Sequence, residues 1–181
     1  MEIIEIYPNH LYAMQYEDGE ENEFDRLLDE WNDIEKVVNF MDQNKIYLSN
    51  KEIWGAELNT EDAAKRVRIE AEELEDLFDV LNTNTTNGEK PDFDSHFREL
   101  NGKYVYELNY VPMKSYGVEN PSMLRIYAIK LKKNQYIITG GGIKLSDSIQ
   151  NSPGLKDHVI KNIDRTRQFL KVNGIKDKED I

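Results

Sequence analysis

Two runs of strand-forming residues, Leu124-Arg125-Ile126-Tyr127-Ala128-Ile129-Lys130-Leu131 and Gln135-Tyr136-Ile137-Ile138-Thr139, stand only three residues apart. Both are rich in β-branched and aromatic side chains, and the polar Lys132-Lys133-Asn134 between them leaves room for nothing longer than a tight turn. The pair therefore reads as an antiparallel hairpin. Upstream, Lys103-Tyr104-Val105-Tyr106-Glu107-Leu108-Asn109-Tyr110-Val111 alternates well enough to be a further strand. Downstream, Gly140-Gly141-Gly142 is expected to break the ladder, and Ser152-Pro153 precedes a closing helix bearing Leu155, Val159, Ile163 and Leu170. Residues 103–139 are thus expected to form three antiparallel strands in chain order, with the last helix packed on them.

The first half reads differently. Glu2–Tyr7 and Leu11–Tyr16, with Pro8-Asn9 between them, predict a second hairpin. Phe24, Leu27, Leu28, Trp31, Ile34, Val38 and Met41 recur at three- and four-residue spacing and predict one amphipathic helix over about 21–43, with Glu20, Glu21 and Glu23 near the positive end of its dipole. After an irregular stretch, 45–58, Thr60 is placed to cap a second helix. Its apolar stripe is Val67, Ala71, Leu74, Leu77, Phe78 and Leu81, so it should end near Leu81. Residues 82–91 are polar and turn-rich and predict a connection. The fold class is α+β, read as a single domain over 1–181: an acidic, mainly helical part, 1–95, followed by a sheet and helix, 96–175.

Charge separates the same two parts. A net charge of −12 spread evenly would argue against a nucleic-acid partner. Residues 1–100, however, hold 27 Asp+Glu and 9 Lys+Arg, a balance of −18, whereas 101–181 hold 8 and 14, a balance of +6. The two balances return −12, so the surfaces of opposite sign can attract each other or serve different partners. The opening MEIIEIYPNH lacks the basic start and apolar run of an export signal, and no apolar stretch approaches the roughly 20 residues that span a bilayer. With no Cys, disulfide and thiolate chemistry are excluded, and a cytoplasmic location with no membrane partner is the expectation.

Candidate chemistry is sparse. His10, His96 and His158 fall in separate elements without metal-ligand spacing, so no metal and no cofactor are expected; each is a general base or an ordinary structural histidine. Glu70, Glu72, Glu73, Glu75, Asp76 and Asp79 share helical faces that could hold a hard cation or simply solvate the helix. The stretch from Thr139 to Ser146 is not a phosphate-binding P-loop, because Ile143 and Leu145 flank Lys144 where Gly and Ser or Thr are required. Its glycines either admit a nucleotide or partner backbone beside Lys144, or make a bulge and turn. Arg125 and Tyr127, two apart on a strand, share a face. Metal-free RNA cleavage by attack of a 2′-hydroxyl needs cations against developing charge and a group to move protons, and Arg125, Lys144 and a Tyr127 lowered by its cationic neighbours could supply them. Structural bonds for Arg125 and Tyr127 are the alternative.

From Phe97-Arg98-Glu99-Leu100 onward, the succession of a Tyr-Glu-Leu strand, Leu124-Arg125-Ile126-Tyr127, Tyr136-Ile137-Ile138-Thr139, Ile143-Lys144, Ser152-Pro153 and a helix with Arg165 and Arg167 resembles the RelE/HigB-type toxins of bacterial toxin–antitoxin pairs. The resemblance covers roughly the last 80 residues, and it implies a ribosome-dependent mRNA endoribonuclease neutralised by an antitoxin with a helix-turn-helix. By position, it makes Arg125 the phosphate-binding strand arginine and Lys144 the first of the usual lysines, with Tyr127 beside them. Lys114, Lys130 and Arg165 are the further basic residues expected to meet RNA. The sequence departs from the pattern at Leu145, where a second Lys is usual, and in having no late Tyr after Tyr136. The competing reading is a RelE-type fold without catalysis that holds a basic protein partner on its acidic helices; a metal-dependent enzyme built on the acidic helix is a third.

Overall fold

The computed structural model describes residues 1–86, 92–100, 110–117 and 121–181. Its elements run β1 (Glu2–Tyr7), β2 (Leu11–Gln15), α1 (Glu23–Asn32), α2 (Ile34–Gln43), α3 (Lys45–Leu48), α4 (Lys51–Trp54), α5 (Thr60–Thr86), α6 (Phe93–His96), β3 (Arg98–Glu99), β4 (Val111–Tyr116), β5 (Leu124–Lys132), β6 (Gln135–Ile143) and α7 (Val159–Asn173), with a 3₁₀ turn at Lys178–Asp180. The fold is α+β. The strands form one sheet in the order β1-β2-β6-β5-β4-β3, antiparallel throughout except for β2 beside β6. That parallel pair, Leu11 to Ala13 against Tyr136 to Ile138, inserts the first hairpin into the sheet of the basic half.

Two-residue alternation decides which layer each side chain joins. Leu11 and Ala13 of β2, Leu124, Ile126 and Ala128 of β5, and Ile138 of β6 face a core built with Phe24, Leu27 and Trp31 of α1, Met41 of α2, and Val67, Leu74 and Phe78 of α5. The intervening Tyr12, Met14, Tyr127, Ile129 and Ile137 face the opposite way, toward Val159, Ile163 and Leu170 of α7. The sheet is therefore covered by the acidic helices on one face and by α7 on the other.

The hairpin of β5 and β6 turns through Lys133-Asn134, with Lys132 opposite Gln135 and Asn134 at φ 55°, a left-handed conformation that Asn tolerates. The long first helix is two. Asp33 leaves helical geometry and its side chain accepts from the Lys36 N–H, so it caps α2 as α1 ends. Asn59, not Thr60, accepts from the Asp62 N–H at the start of α5, and α5 continues five residues past Leu81. The irregular stretch after Gln43 contains the single-turn helices α3 and α4. Of the strand expected over 103–111, residues 103–109 lie outside the described residues, as do 87–91 of the expected connection; strand geometry is found at Val111–Tyr116.

The three glycines do not break the ladder. They lie inside β6, just past a bulge where one extra residue, Thr139, stands between Ile138 and Gly140, the partners of neighbours Ala128 and Tyr127 of β5. A Cβ on Gly141 would stand 2.4 Å from the Arg125 carbonyl oxygen and 2.8 Å from Leu27 Cδ1, so glycine here lets α1 lie directly on the strand. One on Gly142 would meet the Gly154 carbonyl oxygen at 2.5 Å. The space beside these glycines is filled by the chain itself.

Candidate functional site

Arg125, the second residue of β5, lies directly opposite Tyr116 of β4. The two side chains meet, the guanidinium carbon 4.1 Å from the tyrosine ring centroid. The same ring has Lys114 Nζ at 5.6 Å and the Arg98 guanidinium at 5.8 Å, because Lys114 is two residues back on Tyr116's face and Arg98 of β3 pairs with Lys114. Lys144 follows β6 and lines a cleft with Arg125, Ser122, Pro121, Ser146, Asp147 and the α4 residues around Trp54. Three cations thus gather around one partly exposed tyrosine at one end of the sheet, with Lys144 beside Arg125 in the adjoining cleft.

Their electrostatics are uneven. Burial pushes the Arg125 guanidinium down from its ordinary value; at this residue type that still leaves a full charge. Lys144 is lowered first by burial and then by the positive charge of Arg125, with Asp147 pulling the other way and Lys114 adding a smaller push. None of Arg98, Lys114, Arg125 and Lys144 is ion-paired with a described carboxylate. Arg125 instead donates through Nη1 to the carbonyl oxygens of Ser122, at 3.0 Å, and Leu124.

The other expected site residues lie elsewhere. Tyr127 shares Arg125's face but is only 1% exposed, packed with Leu155, Val159 and Ile163, and does not line the cleft. Burial pushes its phenol up, and the opposing pull of Arg125 is the smaller effect. A tyrosine lowered by cations is therefore not found at this position. Lys130 points to the opposite face of the sheet and pairs with Asp94 at 2.8 Å. Arg165 of α7 pairs with Asp18 at 3.1 Å over the Tyr16 ring, in a separate cleft that also contains Glu23, Arg26 and His158.

Of the histidines, His10 shares a hydrogen bond with the Asn134 carbonyl oxygen and stacks on Phe93, and His158 Nε2 lies 2.9 Å from the Gly141 carbonyl oxygen. Burial lowers His96. Glu70, on the acidic helix, is fully buried and accepts from Ser122 Oγ, from the Met123 and Leu124 N–H groups and from Arg66. Burial pushes its carboxyl up against the pull of those donors. Among the described residues no group of His, Asp and Glu is arranged to hold a metal ion, and no helix is long and apolar enough to cross a membrane.

Tyr116, Arg98 and Glu70 are the members that sequence reasoning missed as a site. Lys114-Ser115-Tyr116 carries a same-face pair that would have shown once β4 was placed at 111–116. Pro112 argued against a strand there, and the stronger alternation of 103–111 drew attention upstream. Glu70, three residues after Val67 and four before Leu74, falls on the apolar stripe of α5, the signal that separates it from its outward carboxylate neighbours. Comparison with protein-family models, curated proteins and solved structures finds no match.

Proposed function

We propose that the protein is a RelE/HigB-like toxin, a metal-independent endoribonuclease that cuts mRNA on the ribosome and is neutralised by an antitoxin protein carrying a helix-turn-helix. The observation that carries this reading is the cluster of Arg98, Lys114 and Arg125 around Tyr116, with Lys144 beside Arg125, none of them ion-paired with a described carboxylate in a chain of net charge −12. Cleavage by the adjacent 2′-hydroxyl builds negative charge on the phosphate, and fixed cations stabilise that charge more than they stabilise the ground state. Arg125 is preorganised for this by two carbonyls and a ring, while Lys114 and Lys144 supply further positive charge. Tyr116, 36% exposed against 1% for Tyr127, takes the proton-transfer role in place of that buried tyrosine.

The burial of Tyr127 favours a second reading: the same fold without catalysis, holding a basic partner on the outer face of α5. There Ile69 and Val80 are more than half exposed beside Glu72 and Asp76. One experiment separates the two. Under the nuclease reading, induced expression arrests growth, and purified protein cuts mRNA only on ribosomes. Arg125→Lys, which keeps the charge and loses the fork, then lowers cleavage by roughly a hundredfold, about 3 kcal/mol of transition-state stabilisation. Wild-type protein that neither slows growth nor cuts ribosome-bound mRNA refutes the nuclease reading and leaves the binding module.

A further inference from the structure

Glu70 is the one fully buried carboxylate among the described residues, and it belongs to α5, not to the sheet whose loop it enters. Its Oε2 accepts from Ser122 Oγ at 2.8 Å, from the Met123 N–H at 2.8 Å and from the Leu124 N–H at 3.1 Å, while Oε1 accepts from Arg66 Nε at 3.1 Å. Ser122 Oγ in turn accepts from the Gly117 N–H at 2.9 Å. The arrangement is close enough to forbid a side chain at 117, where a Cβ would fall 2.6 Å from Ser122 Oγ and 2.8 Å from Glu70 Oε2. One carboxylate thus ties the end of β4 to the start of β5. The carbonyl oxygens of the residues it holds, Ser122 and Leu124, are the acceptors of Arg125 Nη1.

We propose that Glu70 is the positioning residue of the cationic site: by fixing the backbone of 122–124 it sets the Arg125 guanidinium against Tyr116, so that the acidic helix α5 organises the basic site without touching the substrate. A carboxylate suits the task because it is acceptor-only and can take several backbone donors at once. A serine or an amide at position 70 could not satisfy the same set. Full burial excludes a direct role for Glu70 in proton transfer to a substrate. The consequence for RNA cleavage rests on the function proposed above, whereas the positioning of Arg125 does not.

The test reads both separately. Nitrogen-15 spectra of arginine-labelled protein, with the Arg125 signals assigned through Arg125→Lys, report guanidinium rotation directly. Wild-type Arg125, held by two carbonyls, gives distinct, slowly exchanging Nη signals; Glu70→Ala and Ser122→Ala give averaged ones. Glu70→Gln retains one oxygen for the 122–124 donors but turns an amide toward Arg66, and falls between. Asp79→Asn, which weakens the Tyr7 bond on the same helix, serves as the control for a general loss of stability and keeps the wild-type Arg125 signals. Ribosome-dependent cleavage falls by roughly ten- to a hundredfold in Glu70→Ala, with Glu70→Gln partly restored and Asp79→Asn unchanged, because misplacing a charged group by an ångström costs that much. If Glu70→Ala does not fold, Glu70→Gln and Ser122→Ala decide. Wild-type Arg125 signals in any folded one of these variants, or equal averaging in Asp79→Asn, overturn the proposal. Absence of cleavage by the wild type overturns the nuclease reading alone and leaves positioning to the spectra.

Discussion

Strand β5 carries a basic residue near each end, and the acidic half of the chain treats the two differently. Near the hairpin tip, Lys130 is ion-paired with Asp94, whose carboxylate also accepts from the Tyr136 hydroxyl and from the Asn134 N–H, while Asn134 Oδ1 accepts from the Asp94 N–H. At the other end, the buried carboxylate of Glu70 is engaged by backbone donors, and Arg125 meets two carbonyl oxygens and the Tyr116 ring. Both carboxylates lie in the acidic first hundred residues. One neutralises its cation and locks a turn; the other locks a loop and leaves the cation's charge available. Charge complementarity between the halves is therefore selective, and position on the strand separates a structural cation from a candidate functional one.

The sharpest way to break this comparison is at the tip. Asp94→Ala removes the acceptor of the Tyr136 hydroxyl and of the Asn134 N–H together, and is expected to lower stability by about 2 kcal/mol while, under the proposed nuclease reading, leaving ribosome-dependent cleavage at the wild-type rate. Urea midpoints and a cleavage time course measure the two. A rate that falls with Asp94→Ala would mean the ends of β5 are not separable.

Next in size is the contrast between two lysines. Under the proposed nuclease reading, Lys144→Ala is expected to slow cleavage roughly tenfold, about 1.4 kcal/mol, with an unchanged melting temperature. Lys130→Ala does the reverse, costing under about 1 kcal/mol of stability as a partly exposed pair and nothing in rate. Equal rate losses from the two would restore Lys130 to the RNA-contacting set expected from the sequence.

The smallest effect is a pH dependence. Partial burial works to raise the Asp94 carboxyl, but Lys130 and the Tyr136 hydroxyl overcome it and hold the group below the usual carboxylate range. The unfolded chain then binds more protons at this site than the folded one, so stability rises with pH across the interval. The contribution is complete above the unfolded value, about 3.9, and disappears as pH falls through the lower folded value. Acid unfolding curves of Asp94→Asn should lack this component, while those of Lys144→Ala should retain it.

Local signals were enough for much of the architecture. The turn at Lys133-Asn134, the strands on either side, the first hairpin and the apolar stripes of α1, α2 and α5 were legible because period and turn chemistry are properties of neighbouring residues. Local rules also misled in places. Seven apolar residues at helical spacing concealed the break at Asp33, because the stripe continues in phase across a single capping residue. The glycine run looked like the end of a strand, since its reason, the close seat of Leu27 on Gly141, lies more than a hundred residues away in sequence.

The chain's amino-acid order by itself determined the α+β class, the opposite charges of its two parts, the shared face of Arg125 and Tyr127, and the presence of Lys144 just beyond the hairpin. Tertiary structure alone decided that β2 would lie parallel to β6 and join the halves in one sheet, and that α7 would bury Tyr127 while leaving Tyr116 partly exposed among the cations. It also decided that Glu70 of α5 would hold the loop before Arg125. The reason is physical: periodicity records which side of an element a residue occupies, but burial, desolvation and the partner of a charge depend on what the rest of the chain brings to that side.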